Sequence, residues 1–135
     1  MKTSATKYAF SAVVPWDVDE AIERVVDALQ VEGFGVLTRI DVHDVLARKL
    51  NINRAPYVIL GACNPTLANQ AINAEPSIGL LLPCNVVVRT ENNRTVIEFM
   101  DPEAVLVSLV ESDEIAPLAA DVRARLERVR DSLIA

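Results

Sequence analysis

Two thiols, one imidazole and two carboxamides are the side chains whose types and spacing suggest chemistry in this sequence. Cys63 stands in Gly61-Ala62-Cys63-Asn64-Pro65 and Cys84 in Pro83-Cys84-Asn85. Asn is a preferred helix N-cap and Pro is favoured at the first helical position, so Cys63 directly precedes a predicted helix start. There the helix dipole lowers a thiol's pKa, and the thiolate is the form that attacks electrophiles or holds metals. Two features weaken that field: Pro65 removes one N–H and Asn64 occupies another. Three readings of Cys63 therefore stay open: a small apolar side chain packing where strand meets helix, a reactive thiol or metal ligand, and the wall of a ligand pocket. Cys84 opens a strand and would face Cys63 if their strands are neighbours. A redox pair would then need Cα atoms within about 7 Å. Asn64 and Asn85 each donate and accept hydrogen bonds, and capping and turn roles compete for both.

A closed zinc site needs about four N, S or O ligands. The chain has two Cys, a single His at position 43 and no C-x-x-C spacing, so Cys63, Cys84 and His43 complete such a site only across a dimer axis. His43 falls in the first turn of a predicted helix between Asp41 and Asp44, whose carboxylates favour its charged form, and it is expected to face solvent. The sequence has no Ser/His/Asp order, Gly-rich phosphate loop or H-E-x-x-H pattern. Without a complete catalytic set the reading leans away from an enzyme, and nothing implies a cofactor.

These residues need a scaffold, and periodicity supplies one. Residues 8–14 alternate and stop at Pro15, a first strand. Asp17 caps a helix whose apolar face is Val18, Ile22, Val25, Val26 and Leu29, and Gly33 stops it. Residues 34–40 alternate as a second strand. Asp41 then opens a shorter helix with Val42, Val45, Leu46 and Leu50 on one side, ending near Asn51. Residues 57–62 form a third strand that delivers the chain to Cys63, and a helix over 65–73 follows. Strands at 86–90 and 95–99 flank Glu91-Asn92-Asn93-Arg94, whose asparagines tolerate the left-handed backbone of a tight turn, so a β-hairpin is expected. Asp101-Pro102 repeats the cap-then-proline signature for a short helix reaching Val110. From Glu114 onward, Leu118, Val122, Leu126, Val129 and Leu133 mark a long amphipathic helix. The order β-α-β-α-β-α-β-β-α-α favours an α+β fold, with helices covering one face of a mainly antiparallel sheet of about five strands.

At 135 residues the chain reads as one domain, 1–135, able to bury roughly two thirds of its unfolded surface. A hydrophobic fraction of 51% with 24% charged residues excludes a disordered chain. The longest apolar run, 78–88, is interrupted by Pro83 and Asn85 and falls short of the roughly 18 residues of a membrane span, so no membrane partner is expected. Residues 1–7 lack the apolar stretch of a signal peptide, and two cysteines are too few for a disulfide scaffold. A cytoplasmic protein with free thiols is the expectation. Net charge of -6 argues against a nucleic-acid partner. Arg123, Arg125, Arg128 and Arg130 cluster, but they alternate with Asp121, Glu127 and Asp131 at helical spacing, as on a solvated helix face.

The central segment resembles the "domain of unknown function 302" family. Gly61-Ala62-Cys63-Asn64-Pro65 followed by Ile78-Gly79-Leu80-Leu81-Leu82-Pro83-Cys84-Asn85-Val86-Val87-Val88 looks like that family's paired motif, and the strand at 34–40 and Asp101-Pro102 fit it, so the likeness spans residues 8–110. The resemblance implies a compact α+β domain with a curved antiparallel sheet, often a dimer. It brings no established activity and therefore no catalytic residues. Residues and resemblance together lead to a non-enzymatic homodimeric module that binds a small molecule or partner near Cys63, Asn64, Pro65, Pro83, Cys84 and Asn85. The alternative is a thiol-based redox or metal-responsive protein using Cys63 and Cys84. A third reading is a structural domain whose last helix docks on another protein.

Overall fold

The computed structural model describes residues 2–3 and 6–134; what residues 1, 4 and 5 were expected to contribute at the N-terminus lies outside them. Along the chain come β1 (Lys2–Thr3), β2 (Ala9–Val14), α1 (Val18–Val31), β3 (Gly35–Asp41), α2 (Val42–Leu50), β4 (Tyr57–Cys63), α3 (Pro65–Ala74), a 3-10 segment (Pro76–Leu81), β5 (Cys84–Glu91), β6 (Arg94–Met100), a single wide π turn (Glu103–Val107) and α4 (Ile115–Ile134). The fold is α+β. Every strand pairing is antiparallel, in the order β1-β2-β6-β5-β4-β3. The expected order of elements is present, with two additions: the short edge strand β1, and the 3-10 segment inside the apolar run before Pro83. The short helix expected after Asp101-Pro102 is present over 102–109, π-wound between Glu103 and Val107, and the N–H groups of Glu103 and Ala104 at its start bond to Asp101 Oδ1.

The breaks between elements follow from local chemistry. Asp17 Oδ1 accepts the Glu20 N–H at 2.8 Å and starts α1, while Gly33, at φ 87°, turns the chain out of it. Asn51 in the left-handed region ends α2, and Asn92 and Asn93, with φ of 50° and 62°, form the β5–β6 turn. Alternation then aims Phe10, Ala12 and Val14 of β2, Ile97 and Phe99 of β6, Val86 and Val88 of β5, and Val58, Leu60 and Ala62 of β4 to one face. That face meets Val25 and Leu29 of α1 and Leu126 and Val129 of α4 in the main core. A second, smaller cluster of Ala71, Ile78, Leu106, Ile115 and Ala119 forms where β4 finishes and β5 begins.

The arginine row of α4 is solvated only in part: Arg128 is exposed, as the spacing suggests, but the row also makes long-range contacts. Arg130 is 9% exposed and lies 5.2 Å over the ring of Phe10, which itself stacks on Phe99 across the β2–β6 pair. Arg123 approaches the same ring and pairs with Asp101 at 3.3 Å. Arg125 Nη1 donates to the carbonyl of Glu32 at 3.0 Å and Arg128 holds the Glu32 carboxylate at 2.9 Å. The C-terminal end of α1, with its unpaired carbonyls, is where a cation is most favourable. The row therefore locks α4 to α1 and to β2.

Candidate ligand-binding site

β4 and β5 are neighbours in the sheet, with Ala62 opposite Cys84. The end of β4 and the start of β5 therefore meet, and Cys63, Asn64, Pro83 and Cys84 line one cavity of about 290 Å³. Sequence sets this corner. Asn64 Oδ1 accepts the Leu67 N–H at 3.2 Å and Pro65 follows as the first residue of α3. Gly61 is buried beneath Pro83: a methyl on it would sit 2.8 Å from Pro83 Cγ and run into Thr38 Oγ1. Only glycine lets the proline close over the strand in this way.

The cavity lies between the two apolar clusters. Phe34 and Ala62 form one wall, Leu67, Ala68, Ala71 and Ile72 of α3 another, Ile78, Gly79 and Leu82 a third, and Leu106, Ile115, Leu118, Ala119 and Val122 the fourth. Apart from the Asn64 amide and the two thiols the lining side chains are hydrocarbon. Alanines at 68, 71 and 119 leave the space that larger side chains fill elsewhere. Ala62, Ile78, Ile115 and Ala119 are fully buried at the inner end, whereas Leu37 at 66% and Ile72 at 43% exposure, with Gly79, rim the mouth.

Both thiols are free. Burial pushes the Cys63 thiol up. Cys84 is pushed from its ordinary 9.0 up to about 11, first by burial and then by the charge of Cys63, so the two sulfurs stand close enough to feel one another. Desolvation thus outweighs the help expected from the start of α3. At neutral pH both groups are protonated, weakly polar and poor nucleophiles.

The family described as domain of unknown function DUF302 matches residues 10–133. The chain belongs to this family. The match runs through α4, beyond the 8–110 that motif likeness suggests. A crystal structure of an uncharacterized conserved DUF302 protein from Bacillus stearothermophilus is 34% identical, with a TM-score of 0.87 over 95% of this chain and 99% of that one. Among proteins of curated function none matches.

The other residues singled out in this DUF302 sequence fall outside the cavity. Pro65 is exposed on the first turn of α3, and Asn85 is exposed opposite Gly61. His43 is not solvent-facing: its side chain is 26% exposed, because Nδ1 accepts the Tyr57 N–H at 3.0 Å. It borders a separate hollow with Asp17, Asp19, Arg39 and Asp41. The three metal candidates are thereby divided between two places. Ligand atoms of Asp41, His43 and Asp44 lie within 4.8 Å of one another, but Arg39 holds Asp41 at 3.0 Å and the Tyr57 N–H occupies Nδ1. Sequence reasoning passed over Leu37, Ala68, Ile72, Leu118 and Val122. The signal for the last two was the start of the α4 stripe, whose first members face the cavity and whose later members face the main core.

Proposed function

We propose that this DUF302 chain is a homodimeric, cytoplasmic binding module that holds a small apolar molecule in the cavity at the β4–β5 corner and does not transform it. The observation that carries this reading is the wall itself, which is hydrocarbon except for Asn64 and two protonated thiols. A volume of about 290 Å³ sits at the lower end of small-molecule pockets and is about twice that of engineered apolar cavities of ~150 Å³ that stay dry and take benzene. Filling it recovers roughly 25 cal/mol for each Å² of apolar surface removed from water. Cys63, Asn64, Pro83 and Cys84 serve as wall, while Pro65 and Asn85 shape the turns that bring it together.

Dimerisation through the β3 edge draws support from Leu37, Ile40, Leu50 and Ile52, which expose aliphatic surface on β3 and at the end of α2. Among the described residues β3 pairs with β4 alone, and an open, apolar sheet edge is a surface that proteins ordinarily cover. Titration with phenylnaphthylamine, a neutral fluorophore, tests the binding reading. Saturable one-to-one binding is expected in the native chain and its loss in Ala68→Leu; no saturable binding removes the reading. Native mass spectrometry reports the subunit number in the same sample, and a monomer at micromolar concentration contradicts the dimer.

A thiol-based redox or metal-responsive role is the second reading, favoured by two thiols in one wall. The redox form requires Cys63 and Cys84 to join under mild oxidant, and the metal form requires an ion held by the purified protein. Persistence of both free thiols in the oxidised sample, counted after unfolding, together with no metal in the native mass spectrum, rules the reading out.

A further inference from the structure

We infer that the cavity selects its ligand by charge, accepting a compact uncharged aromatic or alicyclic body and refusing the ionised carboxylate of the same shape. The inference rests on the binding reading above and names its ligand class. No Lys, Arg or His is among the described residues that line the cavity. Its one amide carries no charge, and the oxygen of that amide is engaged. Asn64 Oδ1 accepts the Leu67 N–H, and its Nδ2 is packed against the chain at Gly33, where an added methyl would come within 2.9 Å of it. The guanidinium of Arg125 flanks the same glycine, 3.7 Å from that methyl position. That guanidinium is taken up by Asp121 at 2.9 Å and the Glu32 carbonyl at 3.0 Å. The chain as a whole carries -6 and adds no attraction for an anion.

An ionised group entering this wall gives up its hydration and meets no countercharge. Such a transfer is so costly that the group changes protonation state instead. A carboxylate ligand therefore enters as the neutral acid, taking up one proton from solvent. Its affinity then carries the signature of that proton, while a neutral analogue shows none.

Naphthylmethanol and naphthoate make a matched, fluorescent pair of suitable size. The alcohol is expected to bind with the same affinity from about pH 5 to pH 8, and naphthoate to weaken ~10-fold per pH unit above its own carboxyl pKa near 4, ending roughly 1,000-fold below the alcohol at neutral pH. Naphthoate binding within about threefold of the alcohol at neutral pH, a difference of less than 1 kcal/mol, overturns charge selection and leaves the cavity reading intact. Failure of both ligands to bind removes the cavity reading and this inference with it. Ile72→Lys places a cation at the exposed mouth, where folding is not at stake. Because Ile72 is itself part of the wall, the readout is the ratio of the two affinities: the variant should shift it toward naphthoate at neutral pH, and an unchanged naphthoate-to-alcohol ratio counts against selection by charge.

Discussion

The two apolar clusters of this domain are made from the same residue types and end differently. In the main core, strand alternation and the helical stripes of α1 and α4 bring large side chains into register, and Phe99, Leu29, Leu60, Ile97 and Leu126 are fully buried. In the second cluster, short segments converge at the end of the sheet with alanines on their inner faces, and the cavity remains. Regular elements fill space because their periods match their neighbours. Where an irregular 3-10 segment, a π turn and the first turns of two helices meet, side-chain volume is set by the individual residue. Interiors are otherwise close-packed, so a void at such a junction marks a place where packing has been relinquished.

Substitutions separate the two regions most sharply in the main core. Phe99→Ala removes a fully buried ring that stacks on Phe10 and should cost about 3–5 kcal/mol in denaturant unfolding. A loss under ~1 kcal/mol would mean the main core is as loosely filled as the second cluster. Alkaline pH probes the cavity side. Because the folded chain holds the Cys84 proton more tightly than the unfolded chain does, its contribution is fully present below about pH 9 and is lost as pH rises toward about 11. About 3 kcal/mol at most should disappear across that window. The same curve for Cys84→Ala should lack that part of the slope; identical slopes contradict a buried thiol.

The smallest effect comes from placing one change in both regions. Ala12→Leu, at a fully buried position under α1 and α4, should destabilise by about 1–3 kcal/mol through overpacking. Ala68→Leu grows into open space and should change stability by less than ~1 kcal/mol in either direction. Equal costs at the two sites would show that the cavity collapses in solution.

Much of this fold was legible because its signals are local. Asp17, Gly33, Asn51, Asn64-Pro65 and Asn92-Asn93 each fix a boundary through bonds or dihedrals within a few residues, and the stripes named the core faces. The adjacency of β4 and β5, which brings Cys63 and Cys84 to one wall, is a condition that periodicity leaves open and the strand pairing meets. What escaped depends on distant partners. Arg125 has Asp121 four residues before it and Arg128 has Asp131 three residues after it, so nothing near them announces Glu32, which lies more than 90 residues away. His43 was placed beside Asp44, yet its ring is held by the backbone of Tyr57. Beyond the Cys63-Asn64 and Pro83-Cys84 segments and the start of the α4 stripe, the cavity wall has no linear signature, since Leu37 and Ile72 are ordinary aliphatics until separate segments close around them.

The central claim, that the β4–β5 corner is where a ligand sits, is tested most directly at Cys63. Its rate of alkylation by iodoacetamide should fall in proportion to the fraction of sites filled as naphthylmethanol is added, with Cys84 silent throughout. An alkylation rate that stays constant while naphthylmethanol fluorescence saturates would place the bound molecule elsewhere and contradict the account.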